Sequence, residues 1–210
     1  LPLQYYLLFP LLLLASYARG WQAAAGGGAR RNSGRPILCP LLLLLASLLL
    51  SLLLSAALPH TIFPPLFNRY GPGETFGLHV DNAIRVHAGT GARIRTDLSA
   101  TLFLTDPADY DGGALEIDGN EGRKTFKLPA GSMLLYPSTT LHRVTEVTRG
   151  ERVSCFMWMQ SLVADHAQRE MLFDLDRTAQ TLAADRGSQD AEVLRLIQLY
   201  HNLVRMWASS

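Results

Sequence analysis

The sequence predicts a mainly β protein with flanking helices, in which two antiparallel sheets form a double-stranded β-helix, or jelly roll. Short apolar or alternating segments, separated by turn residues, recur from residue 61 to residue 162. About eight such strands at regular spacing fit a double-sheet jelly roll. After residue 162 the hydrophobic period changes from two residues to about 3.6, which is typical of amphipathic helices. We therefore predict an N-terminal helical region (1–60), a jelly-roll domain (61–162) and a C-terminal helix pair (163–210).

The N-terminal region has an unusual composition. Residues 41–58 carry no charge and reach the length of a membrane span. The run Leu7–Leu14, followed by "ASYA", resembles a signal-peptide core but lacks a basic start. Leu fills 11 of the 14 positions from 41 to 54, whereas natural membrane helices mix several apolar residue types. Three interpretations stay open: a membrane or signal segment, an unusual soluble helix, or residues that stand in for unidentified side chains.

The strand-rich region is divided by clear turn signals. The segment "DLSATLFLT" is a good strand and is followed by "DPADYDGG", which is dense in turn-forming residues. The later strands "ALEID", "KTFKL" and "SMLLYP" are separated by "GNEG" and "PAG". The segments "LHRVTEV" and "ERVSCFMWMQ" complete the set.

The C-terminal region predicts two amphipathic helices packed on the sheet. The first carries an apolar stripe that includes Met171, Leu172 and Ala179, and Gly187 is a plausible end. A second stripe runs from Val193 to Trp207. Such a helix pair serves either as a structural cap or as a contact between copies of the chain. The second case would give a homo-oligomer that forms through the C-terminal helices.

Composition excludes several functions. The net charge of +1 gives no sign of a nucleic-acid partner. Two cysteines form no disulfide framework, which indicates a reducing compartment, and we expect Cys155 to be a buried, inert thiol. All 18 acidic residues lie from Glu74 onward, where the balance is that of a soluble protein. We expect a cytoplasmic protein without membrane association.

The stretch "FGLHVDN" (76–82) raises the possibility of a metal site. In a strand, His79 and Asp81 share one face, while Phe76, Leu78 and Val80 share the other, which we interpret as core. A third ligand comes from "YPSTTLHRVTEV", which contributes His142. Two imidazoles and one carboxylate form the facial triad of non-haem Fe(II) oxygenases. Zinc or manganese would accept the same ligands, and a surface His and Asp is the simpler alternative.

Arg152 begins the next alternating strand. Ser154, Phe156 and Trp158 would share its face, and a guanidinium there would bind a carboxylate through two parallel hydrogen bonds. An ordinary surface arginine is the alternative, and it is the interpretation we give to Arg143 and Arg149.

The segments that carry these residues resemble a known family. "NRYGPGETFGLHVDNAIR", "RTDLSATLFLTDPADYDGGALEI", "LPAGSMLLYPSTTLHRVTEVTRGERVSCFMWMQS" and "LFDLDRTAQ…YHNLVRMWA" resemble the PKHD-type hydroxylases, bacterial iron- and 2-oxoglutarate-dependent dioxygenases related to prolyl 4-hydroxylases. The resemblance runs from about residue 55 to the C-terminus. It implies that the iron ligands are His79, Asp81 and His142. It implies further that Arg152 and Tyr70 bind the cosubstrate 2-oxoglutarate.

The resemblance also implies the activity. The protein would hydroxylate a small molecule, a peptide or an amino-acid side chain, with Fe(II) as cofactor and ascorbate as a candidate reductant, and without catalytic residues beyond the metal centre. Bacterial members are associated with iron acquisition, so a siderophore-type substrate is one candidate. We place "DNAIRVHAGTGARIRTDLS" as a loop over the site, with Asn82 and Arg85 as candidate substrate contacts. A non-catalytic, metal-binding sensor is the alternative function.

Overall fold

The computed structural model describes residues 5–8, 55–119 and 122–209. Its strands, in chain order, are β1 (Tyr5–Leu8), β2 (Pro59–Ile62), β3 (Leu66–Tyr70), β4 (Phe76–His79), β5 (Ile84–Val86), β6 (Arg93–Arg95), β7 (Leu98–Phe103), β8 (Asp111–Gly112), β9 (Leu115–Gly119), β10 (Gly122–Phe126), β11 (Ser132–Pro137), β12 (Leu141–Val144), β13 (Val147–Arg149) and β14 (Arg152–Ser161). Two helices follow, α1 (His166–Arg186) and α2 (Ala191–Trp207). The prediction of a mainly β chain with a C-terminal helix pair is confirmed.

Two antiparallel sheets form the body of the domain. The larger sheet has the order β1–β11–β7–β14–β2, and β3 also pairs with β14. The smaller sheet has the order β10–β9–β12–β4. Two further pairs, β13 with β8 and β5 with β6, lie outside these sheets.

The space between the sheets holds one hydrophobic cluster. Strands of the larger sheet contribute Phe103, Leu134 and Tyr136, and strands of the smaller sheet contribute Ile117 and Val144. Both sheets therefore bury a face against each other, because side chains that alternate along each strand point inward from both sides. This arrangement is the predicted jelly roll.

The outer face of the larger sheet is covered by helical segments. Leu102, Leu135 and Cys155 form a second cluster with Phe173 of α1 and with Ala57. Cys155 is buried, as predicted. Helix α2 packs on α1, and an isolated bridge between Val163 and Ala208 closes the C-terminal pair onto the end of β14.

The ends of α1 follow from its sequence. The side chain of Asp165 accepts a hydrogen bond from the backbone N–H of Gln168 and so caps the first turn. Gly187 follows the last residue with a φ of 92°, a backbone conformation that favours glycine, and its N–H donates to the carbonyl of Ala183. The predicted end at Gly187 is confirmed. Met171, however, is exposed and does not belong to the buried stripe.

The N-terminal region departs in part from its prediction. We expected residues 1–60 to be mainly helical, yet Tyr5–Leu8 pairs with β11 as a strand, and β2 begins at Pro59. Sheet hydrogen bonding to β11 decides the conformation of the first segment. Residues 9–54, which include most of the Leu-rich segment, lie outside the described residues. None of the described helices combines the length and the apolar character needed to span a membrane.

Candidate metal centre

Three potential metal ligands meet at the end of the smaller sheet. His79 is the last residue of β4, and Asp81 follows two residues later. His142 lies on β12, directly opposite His79 in the antiparallel register. One potential ligand atom from each of the three side chains lies within 4.8 Å of those of the other two. The chain therefore brings together the three residues that the sequence predicted, from two segments more than 60 positions apart.

Hydrogen bonds to the backbone orient both imidazoles. Nδ1 of His79 lies 2.8 Å from the carbonyl oxygen of Gly77, and Nδ1 of His142 lies 2.9 Å from that of Thr140. A carbonyl oxygen only accepts, so Nδ1 carries the proton in both rings. The Nε2 lone pairs are then free to bind a metal.

Burial also prepares His142 as a ligand. This residue is 5% exposed, and burial lowers the pKa of its imidazole below the usual value. Its Nε2 lies 3.7 Å from Oδ2 of Asp81. A lowered pKa favours the neutral imidazole, which is the form that binds a metal.

Asp81 is held by a hydroxyl group of the larger sheet. Ser99 Oγ donates a hydrogen bond of 2.6 Å to Asp81 Oδ2 and lies 2.7 Å from Ser138 Oγ. Sequence reasoning missed Ser99 and Ser138. The available signal was a polar residue inside the apolar strand "LSATLF", at a position whose side chain must point inward.

Arg152 lies inside the protein, and its guanidinium is only partly hydrogen-bonded within the described residues. It is 1% exposed, and its Nη1 donates to Ser154 Oγ at 2.7 Å. Its Nε finds no hydrogen-bond partner, and none of the ion pairs among the described residues includes it. Burial lowers the pKa of this guanidinium, while the tyrosines 70, 110 and 136 oppose that effect. A buried cation without a carboxylate partner is the chemistry of an anion site.

Tyr70 stands beside Arg152. The two residues are register partners on β3 and β14, and the guanidinium carbon lies 5.8 Å from the centre of the phenol ring. Burial raises the pKa of Tyr70, so its hydroxyl stays protonated and able to donate a hydrogen bond. The other two arginines behave as surface residues, as predicted: Arg143 pairs with Glu116, and Arg149 pairs with Asp111.

One cavity of about 590 Å³ connects these groups. Its wall includes the three potential ligands, Tyr70 and Arg152, and also the two predicted substrate contacts, Asn82 and Arg85. Arg85 belongs to the hairpin of β5 and β6, so the segment that we predicted to be a loop is partly a strand pair. The sequence of this segment shows no strand pattern, so the pairing of β5 with β6 across the Gly-containing turn was not predicted.

The predicted core face of β4 is wrong. Phe76, Leu78 and Val80 are each about half exposed, and only Phe76 and Val80 reach the cavity wall. The register of β4 with β12 shifts between the pairs His142–His79 and Val144–Phe76, which interrupts the strict alternation on which the prediction rested. The ring of Phe76 lies 4.5 Å from that of His79 and shields this imidazole instead.

The comparisons with known proteins agree with this geometry. Residues 65–160 match the model of the 2OG-Fe(II) oxygenase superfamily, and residues 166–209 match that of the PKHD-type hydroxylase C-terminal domain. A PKHD-type hydroxylase of Methylobacillus flagellatus is 62% identical over 156 residues, which are 74% of this chain and 69% of that protein. One of Burkholderia thailandensis is 57% identical over the same shares.

Among solved structures, the chain is similar to a Pseudomonas putida prolyl-4-hydroxylase. The TM-score is 0.44 at 22% identity, over 76% of this chain and 85% of that one. The two family models and the high identity to curated relatives decide the assignment. The chain belongs to the PKHD-type hydroxylases, which are Fe(II)- and 2-oxoglutarate-dependent dioxygenases.

Proposed function

We propose that His79, Asp81 and His142 hold the Fe(II) of this dioxygenase, and that the enzyme hydroxylates a small molecule, a peptide or an amino-acid side chain. The observation that carries the proposal is the convergence of the three ligand atoms within 4.8 Å at the wall of one cavity. Two imidazoles and a carboxylate leave open coordination positions, which cosubstrate and oxygen require.

The residues fit such an ion. Both imidazoles keep Nε2 free, because Nδ1 donates to a backbone carbonyl. The Ser99 hydroxyl fixes one oxygen of Asp81 through a hydrogen bond. Such outer contacts set the orientation of the ligands before the metal arrives, which raises its affinity.

Arg152 is our candidate for the residue that binds the distal carboxylate of 2-oxoglutarate, with Tyr70 as a second donor. A buried guanidinium without an acidic partner gains a charge-assisted pair when a carboxylate enters. A non-catalytic sensor would need no such cation, and membership in the dioxygenase family favours the enzyme over this alternative.

When bound, ferrous iron and 2-oxoglutarate supply the oxidising chemistry that inserts one oxygen atom of O₂ into a C–H bond and releases succinate and CO₂. The chain itself orients the cosubstrate and limits the access of water to the metal ligands. Phe76 and Tyr136 pack their rings against the two imidazoles, which limits the access of water to the ligand atoms. Arg152 and Tyr70 orient the cosubstrate by its far end.

The cavity has room for a small molecule or a side chain beside the cosubstrate. A role in iron acquisition, with a siderophore-type substrate, and ascorbate as reductant belong to the same proposal and rest on the family resemblance.

A metabolite screen tests the proposal. The Fe(II) protein is incubated in air with 2-oxoglutarate and extracts or compound sets, and succinate is measured together with products that gain one oxygen atom. We expect at least one compound to gain oxygen while succinate accumulates. The His142→Ala protein is the matched control. Equal product from that variant would contradict the assignment.

A further inference from the structure

Arg85 is a second cation in the wall of the cavity. Its guanidinium carbon lies 3.6 Å above the centre of the Trp158 ring. Trp158 is itself 4% exposed and is fixed by the edges of Phe63 and Phe156, whose ring centres lie 5.8 and 5.3 Å away. Stacking on a fixed aromatic ring holds the guanidinium in one place. Its N–H groups stay available to a ligand that lies beside the ring.

At least one of these donors has no partner among the described residues. Nε of Arg85 is buried and has no hydrogen-bond partner, and Arg85 takes part in none of the ion pairs among the described residues. Leaving a buried donor unsatisfied is unfavourable, and more so when the group is charged. A ligand group that accepts hydrogen bonds and carries negative charge would relieve both costs.

The two cations of the cavity are separate. Arg152, Ser154 and Trp158 lie on the same face of β14, and Nη1 of Arg152 contacts Ser154. Ser154 and Trp158 are four residues apart, which is about 13 Å along a strand at roughly 3.3 Å per residue. In the proposed function, 2-oxoglutarate uses one end at the metal and the other at Arg152, so neither of its carboxylates is left for Arg85. Arg85 is therefore free to serve a different molecule while the cosubstrate occupies Arg152.

Arg85 lies at the metal end of the cavity. Trp158 is the register partner of Ser99, and the Ser99 hydroxyl donates a hydrogen bond to Asp81. A group bound by Arg85 would thus lie near the ligand cluster, and the rest of that molecule would be directed toward the open coordination positions.

We infer that the substrate carries an oxyanion, a carboxylate or a phosphate, that Arg85 binds through its guanidinium fork on the Trp158 ring. This inference rests on the proposed function and narrows its substrate class to anionic molecules. It implies that the hydroxylated C–H bond lies within a few bonds of the anionic group, because both must fit between Arg85 and the metal ligands.

The test uses three matched probes with the anaerobic Fe(II) protein saturated with 2-oxoglutarate, which occupies the Arg152 site. The probes are phenylacetate, phenyl phosphate and the neutral phenylacetamide, and their affinities are measured by ligand-detected NMR titration. We expect one of the two anions to bind roughly ten- to a hundredfold more tightly than the amide, as charge-assisted contacts do. The tighter anion identifies the oxyanion.

Variants assign the effect to Arg85. Arg85→Gln should abolish the preference for the anion, and Arg85→Lys should keep part of it, because the charge stays while the planar fork is lost. Arg93→Gln is the control: Arg93 lies on the same hairpin, is exposed and does not line the cavity. It should behave like the wild type.

The possible failures are distinguishable. A wild-type protein that shows no 2-oxoglutarate chelate absorption contradicts the proposed function. A protein that binds 2-oxoglutarate but binds the anions no more tightly than the amide overturns the inference about Arg85 alone. So does an anion preference that survives in Arg85→Gln.

Discussion

His79 and His142 are direct cross-strand partners, and the centres of their rings lie 4.1 Å apart. This pairing of β4 with β12 places two imidazoles side by side with the proton of each on Nδ1. Because Nδ1 of each ring faces a backbone carbonyl, the two Nε2 atoms can converge on one ion. The proposed iron site therefore depends on the register of a single strand pair.

Loss of either imidazole should abolish iron binding. His79→Ala and His142→Ala each remove one of three protein ligands, so we expect the purified variants to retain less than a tenth of the wild-type iron, roughly in line with ligand losses at metal sites. Iron content after anaerobic loading and desalting measures this. His201→Ala is the control, because His201 is exposed on α2, and it should bind iron normally. Wild-type iron content in either ligand variant would refute the site.

Ser99 should tune the affinity without being essential. Ser99→Ala removes the hydrogen bond to Asp81 Oδ2 and leaves Asp81 less well oriented. We expect the affinity for Fe(II) to fall by about ten- to a hundredfold, with the fold retained, as judged by circular dichroism. Ser138→Ala reaches Asp81 only through Ser99, so its effect should be smaller. A larger loss of Fe(II) affinity in Ser138→Ala than in Ser99→Ala would contradict the proposed role of Ser99 in orienting Asp81.

Arg152 should lower the stability of the protein when no cosubstrate is bound. A buried charge without an ionic partner costs free energy, so Arg152→Met should raise the free energy of unfolding by roughly 1 kcal/mol, although it loses the contact with Ser154. Chemical denaturation without cosubstrate measures this. At the same concentration, 2-oxoglutarate should stabilise the wild type more than the variant, since a weaker binder gains less stability from its ligand.

The matched control for this prediction is Arg149→Met. Arg149 is exposed and paired with Asp111, so its replacement should leave the response to 2-oxoglutarate unchanged. A strongly destabilised Arg152→Met protein would contradict this prediction. It would show that the guanidinium stabilises the fold.

The local pattern predicted the inward-facing residues of β14 well. Alternation places Arg152, Ser154 and Trp158 on one face, and all three are buried at the cavity wall, because β14 lies inside the larger sheet with neighbours on both sides. Local pattern and tertiary environment agree in such a strand.

The same rule failed on β4. Leu78 and Val80 are each about half exposed, and the register of β4 with β12 is irregular between His79 and Phe76. Alternation tells which side chains share a face, but it does not tell whether another layer covers that face. A polar residue inside an apolar strand marked Ser99, but its contact with Asp81 and that of Trp158 with Arg85 join segments distant in sequence, and local pattern does not show such contacts.

Arg152 should set the affinity for 2-oxoglutarate without affecting iron. A charge-assisted, bidentate contact contributes about 1.5–3 kcal/mol, so Arg152→Ala should weaken cosubstrate binding by roughly ten- to a hundredfold. Arg152→Lys should be intermediate, since it restores the charge without the planar fork. Arg149→Ala should bind as the wild type does. Weaker binding in Arg149→Ala with normal binding in Arg152→Ala would require the cosubstrate contact to be reassigned.

The most direct test of the proposed site is a titration of the anaerobic Fe(II) protein with 2-oxoglutarate, followed by the charge-transfer absorption of the chelate. The three proposed iron ligands and Arg152 line one cavity. We therefore expect an absorption band in the wild type that saturates at one equivalent of cosubstrate, a right-shifted titration in Arg152→Ala and no band in His142→Ala. A wild-type protein without the band, or a His142→Ala protein with a band of full strength, would contradict the proposed site.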